Sequence, residues 1–136
     1  YESPFHMVSE SPSAYKNANR TWPDGAEFIQ AVPTSWDETR VLQGDIGQYI
    51  VTARRKGDIW YIGAMTNEEG RTIDVPLTFL AKGAYNAKVQ QDGADANHLA
   101  TSNTTADSSK SLTLTLASSG GAVAVIAPVG RLPKKN

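Results

Sequence analysis

From Thr34 onward the apolar residues recur with a period of two, in short runs separated by turns of Gly, Asn and Asp. That period puts alternate side chains on opposite faces of an extended strand, an arrangement no helix reproduces. The clearest run is 111–116, where Leu112, Leu114 and Leu116 face one side and Thr113 and Thr115 the other. In 48–55, Tyr49, Val51 and Ala53 oppose Ile50, Thr52 and Arg54. The run 59–66 is apolar on both faces, the pattern of a central, doubly covered strand. Further strands are expected near 39–42, 71–79, 85–91, 99–105 and 122–126, with Pro76 marking an edge or a bulge. About eight short strands with such turns predict a mainly β fold, an antiparallel β-sandwich of the usual size of roughly 100 residues.

The first 34 residues read differently. Ser3-Pro4 and Ser11-Pro12 each place a Ser N-cap before a Pro at the first helical position. Asp24 with Glu27 has the form of a capping box, and Phe28, Ile29 and Val32 then share a helical face until Pro33 stops the helix. Helices this short need a partner to be stable. The chain therefore divides into a helical segment, 1–34, and a sandwich, 35–136, with a polar tail from Arg131 expected to fray.

Composition excludes several functions. With 13 basic and 14 acidic residues the net charge is −1, so no cationic excess drives nucleic-acid binding. No apolar run approaches the roughly 20 residues of a membrane-spanning helix. With no cysteine there is no disulfide framework, zinc-thiolate site or thiol nucleophile. The start at Tyr1 without Met, and without a charged leader, suggests a chain processed or excised from a longer one.

Several residues could carry chemistry. Asp37 and Glu38 form an acid pair, but neighbours on a strand point to opposite faces and cannot flank one glycosidic bond. One is expected in solvent and the other paired with Arg40, Arg54 or Arg55. His6 and His98 lack a nearby nucleophile and orienting acid, so they read as surface histidines. Asp92, Asp95 and Asn97 offer oxygens that suit calcium, without the spacing or closing Glu of an EF-hand loop. A turn explains them better. Trp22, Trp36 and Trp60 could stack on sugar rings if exposed in a row, although aromatics more often pack in cores, and at least one of Trp60 and Tyr61 is expected there. Gly120-Gly121 precedes a strand and no helix, so it cradles no phosphate.

The run Ser3-Pro4-Phe5-His6-Met7, then Ser11-Pro12-Ser13-Ala14-Tyr15, leads to Val32-Pro33-Thr34-Ser35-Trp36-Asp37-Glu38-Thr39-Arg40-Val41-Leu42 and Tyr49-Ile50-Val51-Thr52-Ala53-Arg54-Arg55. It resembles the C-terminal end of glycoside hydrolase family 97, over essentially the whole chain. The resemblance implies large bacterial exo-acting α-glucosidases or α-galactosidases, periplasmic or secreted, built from an N-terminal sandwich, a (β/α)₈ barrel and a C-terminal sandwich. It implies catalytic carboxylates and a calcium ion in the barrel, upstream of these residues. The segment 1–34 would be the barrel's last helical part. No catalytic residue, metal ligand or cofactor then falls in this chain, whose partners would be that barrel and another copy of itself. A carbohydrate-binding module contacting α-glucans through exposed aromatics is the alternative, and a free-standing enzyme lacks a nucleophile–base pair. Segments 16–23 and 94–110 depart from the pattern and are expected to be variable surface loops.

Overall fold

The computed structural model describes residues 11–16, 22–95 and 98–131. The helix start at Ser3-Pro4, His6, Asn97, most of the 16–23 loop and all but the first residue of the tail lie outside the described residues.

Eight strands form two antiparallel sheets. They are β1 (Glu38–Asp45), β2 (Tyr49–Lys56), β3 (Ile59–Thr66), β4 (Arg71–Pro76), β5 (Tyr85–Asp92), β6 (Leu99–Ala106), β7 (Ser111–Leu116) and β8 (Gly121–Pro128). The division is unequal. One sheet has six strands in the order β1-β2-β3-β8-β5-β6, and the other pairs only β4 with β7. The alternation read from the sequence sets the facing. Val51, Ala53, Ile62, Ala64, Ala87 and Ala124 of the large sheet are buried against Ile73, Val75, Leu112, Leu114 and Leu116 of the small one. Ala53, Ala64, Ala87 and Ala124 of the broad sheet leave room for the larger Ile, Val and Leu side chains of the narrow one.

Two strand expectations shift. The run 71–79 stops at Pro76, which ends an edge strand with no ladder bond to lose on its outer side. The Ala/Ser/Thr-rich segment 94–110 is no loop for most of its length, since β6 occupies 99–106 in unbroken register with β5.

Helix α1 (Pro12–Tyr15) begins where Ser11-Pro12 predicts, with Pro in the first turn. Helix α2 (Ala26–Ala31) corrects the capping box. Its N-cap is Gly25, at φ 82°, with no side-chain cap. Asp24 Oδ2 instead accepts the Leu99 N–H at 3.4 Å, and Glu27 reaches across to β5. Ile29 is exposed, so the apolar face is narrower than its spacing implies; Ala26 is the buried residue.

Candidate functional site

The outer face of the six-stranded sheet is half covered. Over one part, Phe28 and Trp36 meet Tyr61 edge-on, at centroid separations of 6.3 and 5.3 Å. The Arg54 guanidinium lies 5.6 Å from the Trp36 ring and is buried beneath it. Glu27 Oε1 accepts from Lys88 Nζ at 2.6 Å and from Gln90 Nε2 at 3.0 Å. The Lys88 bond holds the Glu27 carboxyl below the usual range, and burial pushes the Tyr61 phenol up. The segment preceding the sandwich is thus seated on the sheet through aromatics at one end and a largely exposed polar link at the other.

The neighbouring part has no cover. Val41, Ile50 and Met65 are 67%, 44% and 58% exposed. Ile50 faces Met65 across β2 and β3, while Val41 faces Thr52 on the next rung. Gly63 continues that rung between Thr52 and Val123, and a side chain there would meet nothing within 4 Å. Ile46 stands fully exposed at the β1–β2 turn, where these side chains line an open groove of about 550 Å³. Val41, Ile46, Ile50 and Met65 are apolar, and Asp45 is the charged residue on the groove's lining. One sign of the strip was legible: Ile50 and Met65 fall on the face opposite Val51 and Ala64, where alternation calls for polar residues.

The acid pair does no acid–base work. Asp37 Oδ2 accepts the Gly57 N–H at 2.7 Å, with Lys56 Nζ 3.4 Å from Oδ1, so it ties the β2–β3 turn rather than resting free in solvent. Glu38 accepts from Arg40 Nε at 2.5 Å and Arg55 Nε at 3.1 Å, and both guanidiniums lie over Trp60. These bonds lower both carboxyls from their ordinary values, and neither is held protonated at neutral pH. His98 is an exposed histidine whose Nδ1 lies 2.9 Å from Asp95 Oδ1. That partner raises its pKa.

The calcium candidates are committed to other bonds. Asp92 Oδ2 accepts the N–H of Ala117 at 2.8 Å and of Gly121 at 2.9 Å, anchoring the β7–β8 turn. Asp95 pairs with His98, and Asn97 lies outside the described residues. Among the described residues no three His, Asp or Glu side chains gather as a cation site. A resident calcium does not fit this donor set.

The tryptophans do not make a row. Trp60 is a correction: at 5% exposure, with its ring centroid 4.7 Å from that of Phe79, it offers no face to a sugar. Tyr61 is buried too, but on the outer face of the sheet beneath Phe28 and Trp36, so of the pair Trp60 is the core residue. Trp36 is half-buried between Tyr61 and Arg54. Trp22 alone presents much of its ring, with Lys16 Nζ 4.9 Å from the centroid.

Residues 35–127 match the family described as "Glycosyl-hydrolase 97 C-terminal, oligomerisation". A retaining alpha-galactosidase of Bacteroides thetaiotaomicron is 45% identical over 97 residues, 71% of this chain and 14% of the relative. A probable retaining alpha-galactosidase of Streptomyces bingchenggensis is 33% identical over 95 residues, 70% of this chain and again 14% of the relative. Among solved structures, a glycoside hydrolase family 97 enzyme from Pseudoalteromonas in complex with acarbose superposes with a TM-score of 0.73 at 38% identity, covering 78% of this chain and 18% of that one. The chain thus spans about one seventh of the length of the curated relatives it matches.

Proposed function

Because the chain belongs to the family of glycosyl-hydrolase 97 C-terminal domains, we propose that it is the non-catalytic assembly domain of a retaining α-galactosidase. The support for that substrate is the pair of curated relatives, both named as retaining alpha-galactosidases. The observation that carries the assembly role is the uncharged strip of Val41, Ile50 and Met65 beside the seat of α2 and Trp36. Contiguous exposed apolar surface on a folded domain marks a contact site. The occupant proposed for the strip is the catalytic barrel of the same polypeptide. A C-terminal domain follows its enzyme's body in sequence, and the segment leading into this sandwich already lies on the same face. Residues 1–34 are assigned to the end of that barrel, and the calcium ion and the periplasmic or secreted setting go with the whole enzyme.

The test pairs two assays. This chain alone is expected to release no p-nitrophenol from p-nitrophenyl α-galactoside or α-glucoside, while the whole enzyme carrying it hydrolyses the galactoside preferentially. Turnover by the chain alone would overturn the non-catalytic reading. In the whole enzyme, Ile50→Asp with Met65→Asp is expected to lower the melting temperature, whereas in the isolated chain the same pair is near neutral, within about 0.5 kcal/mol, as surface changes are. Equal effects in both settings would remove the barrel from the strip.

A further inference from the structure

We propose that β6 is the self-association edge of this domain: a second copy of the chain pairs with it antiparallel, about a two-fold axis at Asn103. The inference rests on the non-catalytic reading above and on the family description of this domain as one for oligomerisation, and it names where the copies meet.

Exposed strand edges are normally blocked by charge, proline or a bulge. Two of the four edges among the described residues are, and a third is partly occupied by side-chain acceptors. β1 carries Glu38, Arg40 and Asp45 and a bulge between Val41 and Gln43. β4 carries Arg71, Asp74 and Pro76. β7 has no charge, but the Thr115 N–H is taken by Gln91 Oε1 at 3.0 Å, and Asp92 takes the N–H of Ala117 just beyond its end. β6 has no charge, proline or bulge, and its N–H to Asp24 lies at its first residue, Leu99. Its eight residues, Leu99 to Ala106, contain no charged residue and no Pro, pair with β5 without a register break, and are exposed from Ala100 through Thr105. The nearest cation, Lys88 opposite Asn103, is neutralised within its own chain by Glu27.

The register follows from the ladder. The Gly93 N–H bonds the His98 carbonyl, so the pairs that exchange bonds with β5 continue through Ala100, Ser102 and Thr104. Leu99, Thr101, Asn103 and Thr105 therefore turn their main-chain N–H and C=O groups away from the sheet. The Leu99 N–H already goes to Asp24. The remaining free set is centred on Asn103. A two-fold axis there sets Asn103 opposite itself and Thr101 opposite Thr105 of the other copy. Three facing pairs exchange about six main-chain hydrogen bonds, two per pair. Every facing side chain is neutral, as an isologous contact requires. The result is one continuous twelve-stranded sheet, with the apolar strip at its two far ends left free for the barrel.

Sedimentation velocity of this chain across the micromolar range is expected to show a reversible monomer–dimer equilibrium. Asn103→Pro removes only an outward N–H, which an edge strand tolerates. It should weaken the dimer by about tenfold or more with the melting temperature kept. Thr101→Lys with Thr105→Lys should abolish the dimer by like-charge opposition. Thr101→Lys with Thr105→Asp should restore it, because each Lys then meets an Asp of the other copy. That opposite pair of outcomes is specific to the Asn103 axis and does not depend on any one variant folding. If the wild type dimerises and all three variants match it, while Ile50→Lys with Met65→Lys dissociates it, both the edge and the barrel's place on the strip are wrong. A wild type that stays monomeric throughout overturns the edge proposal, while the strip's docking on the barrel is decided by its own test.

Discussion

Asp92 and Gly120 exclude any other pairing at their positions. A Cβ on Gly120 would fall inside the contact radius of Asp92 Oδ2, the oxygen that binds the N–H groups of Ala117 and Gly121. Gly120→Ala therefore has to push the carboxylate off its donors. It is expected to cost about 1–3 kcal/mol, as overpacking does. Asp92→Ala should cost a similar ~1–3 kcal/mol by leaving the two N–H groups without their acceptor. Because both changes break the same contact, urea unfolding of the double variant should show much less than the sum. Strict additivity would mean the two residues act separately.

The same bond predicts the response to metal. A ligand that binds only the folded state raises its melting temperature. Millimolar calcium, or a chelator, should leave the melting temperature of this chain unchanged, since Asp92 and Asp95 are engaged in the turn and with His98. A calcium-dependent rise that Asp92→Ala abolishes would reinstate the cation site.

Leu114 is fully buried and projects from the narrow sheet into the core. Leu114→Ala is expected to cost about 2–5 kcal/mol, read from chemical denaturation. Thr113→Ala, one residue away on the outer face, removes only an exposed bond to Asp74 and should cost below about 1 kcal/mol. Equal costs would mean the faces of β7 are reversed.

Asp95 raises the pKa of His98 above 6.5. A folded-state pKa above the unfolded one gives stability that is complete below the unfolded pKa and lost as pH rises through the folded value. The His98 proton resonances should titrate above 6.5, and Asp95→Asn should bring the midpoint down towards 6.5. A midpoint that ignores the substitution would show the pair absent in solution. The carboxyls run the other way. Glu27, Asp37 and Glu38 are depressed, so their contribution is present above the unfolded carboxylate pKa and fades as pH falls through their lowered values.

Glu27 fastens α2 to β5 from outside the sandwich. Glu27→Gln should raise amide exchange across residues 26–31 while changing global stability by no more than about 1 kcal/mol, the scale of an exposed ion pair. Unchanged exchange would mean that Phe28 and Trp36 hold the segment alone.

Features decided by period were readable in advance. Leu112, Leu114 and Leu116 alternate with threonines because one face of β7 is core and the other water, and residues 59–66 lack alternation because β3 lies inside the broad sheet. Features decided by distant partners were not. The spacing of Asp24 and Glu27 matches a local cap, yet their partners lie 75 and 61 residues away. Asp92 sits in a stretch that looks like a cation loop, and only the fold brings the β7–β8 turn to it. The three tryptophans are chemically alike, and burial alone separates Trp60 from Trp22. The threonine-rich stretch that forms β6 shows no apolar alternation because neither of its faces meets the core for most of its length.

The placement of β8 sets the timetable of the domain. Strand β8, the last in sequence, lies inside the broad sheet, fourth from the β1 edge and third from the β6 edge, paired with β3 on one flank and β5 on the other. Until it is synthesised, β1-β2-β3 and β5-β6 are separate ribbons with no main-chain pairing between them. Pairing across such sequence separations is slow and follows local structure. A chain cut short before Gly121 would present two open inner edges, a form that aggregates or is degraded. Closure of the broad sheet therefore waits on β8, which alone sets the strip on β1-β2-β3 and the β6 edge at opposite ends of one sheet.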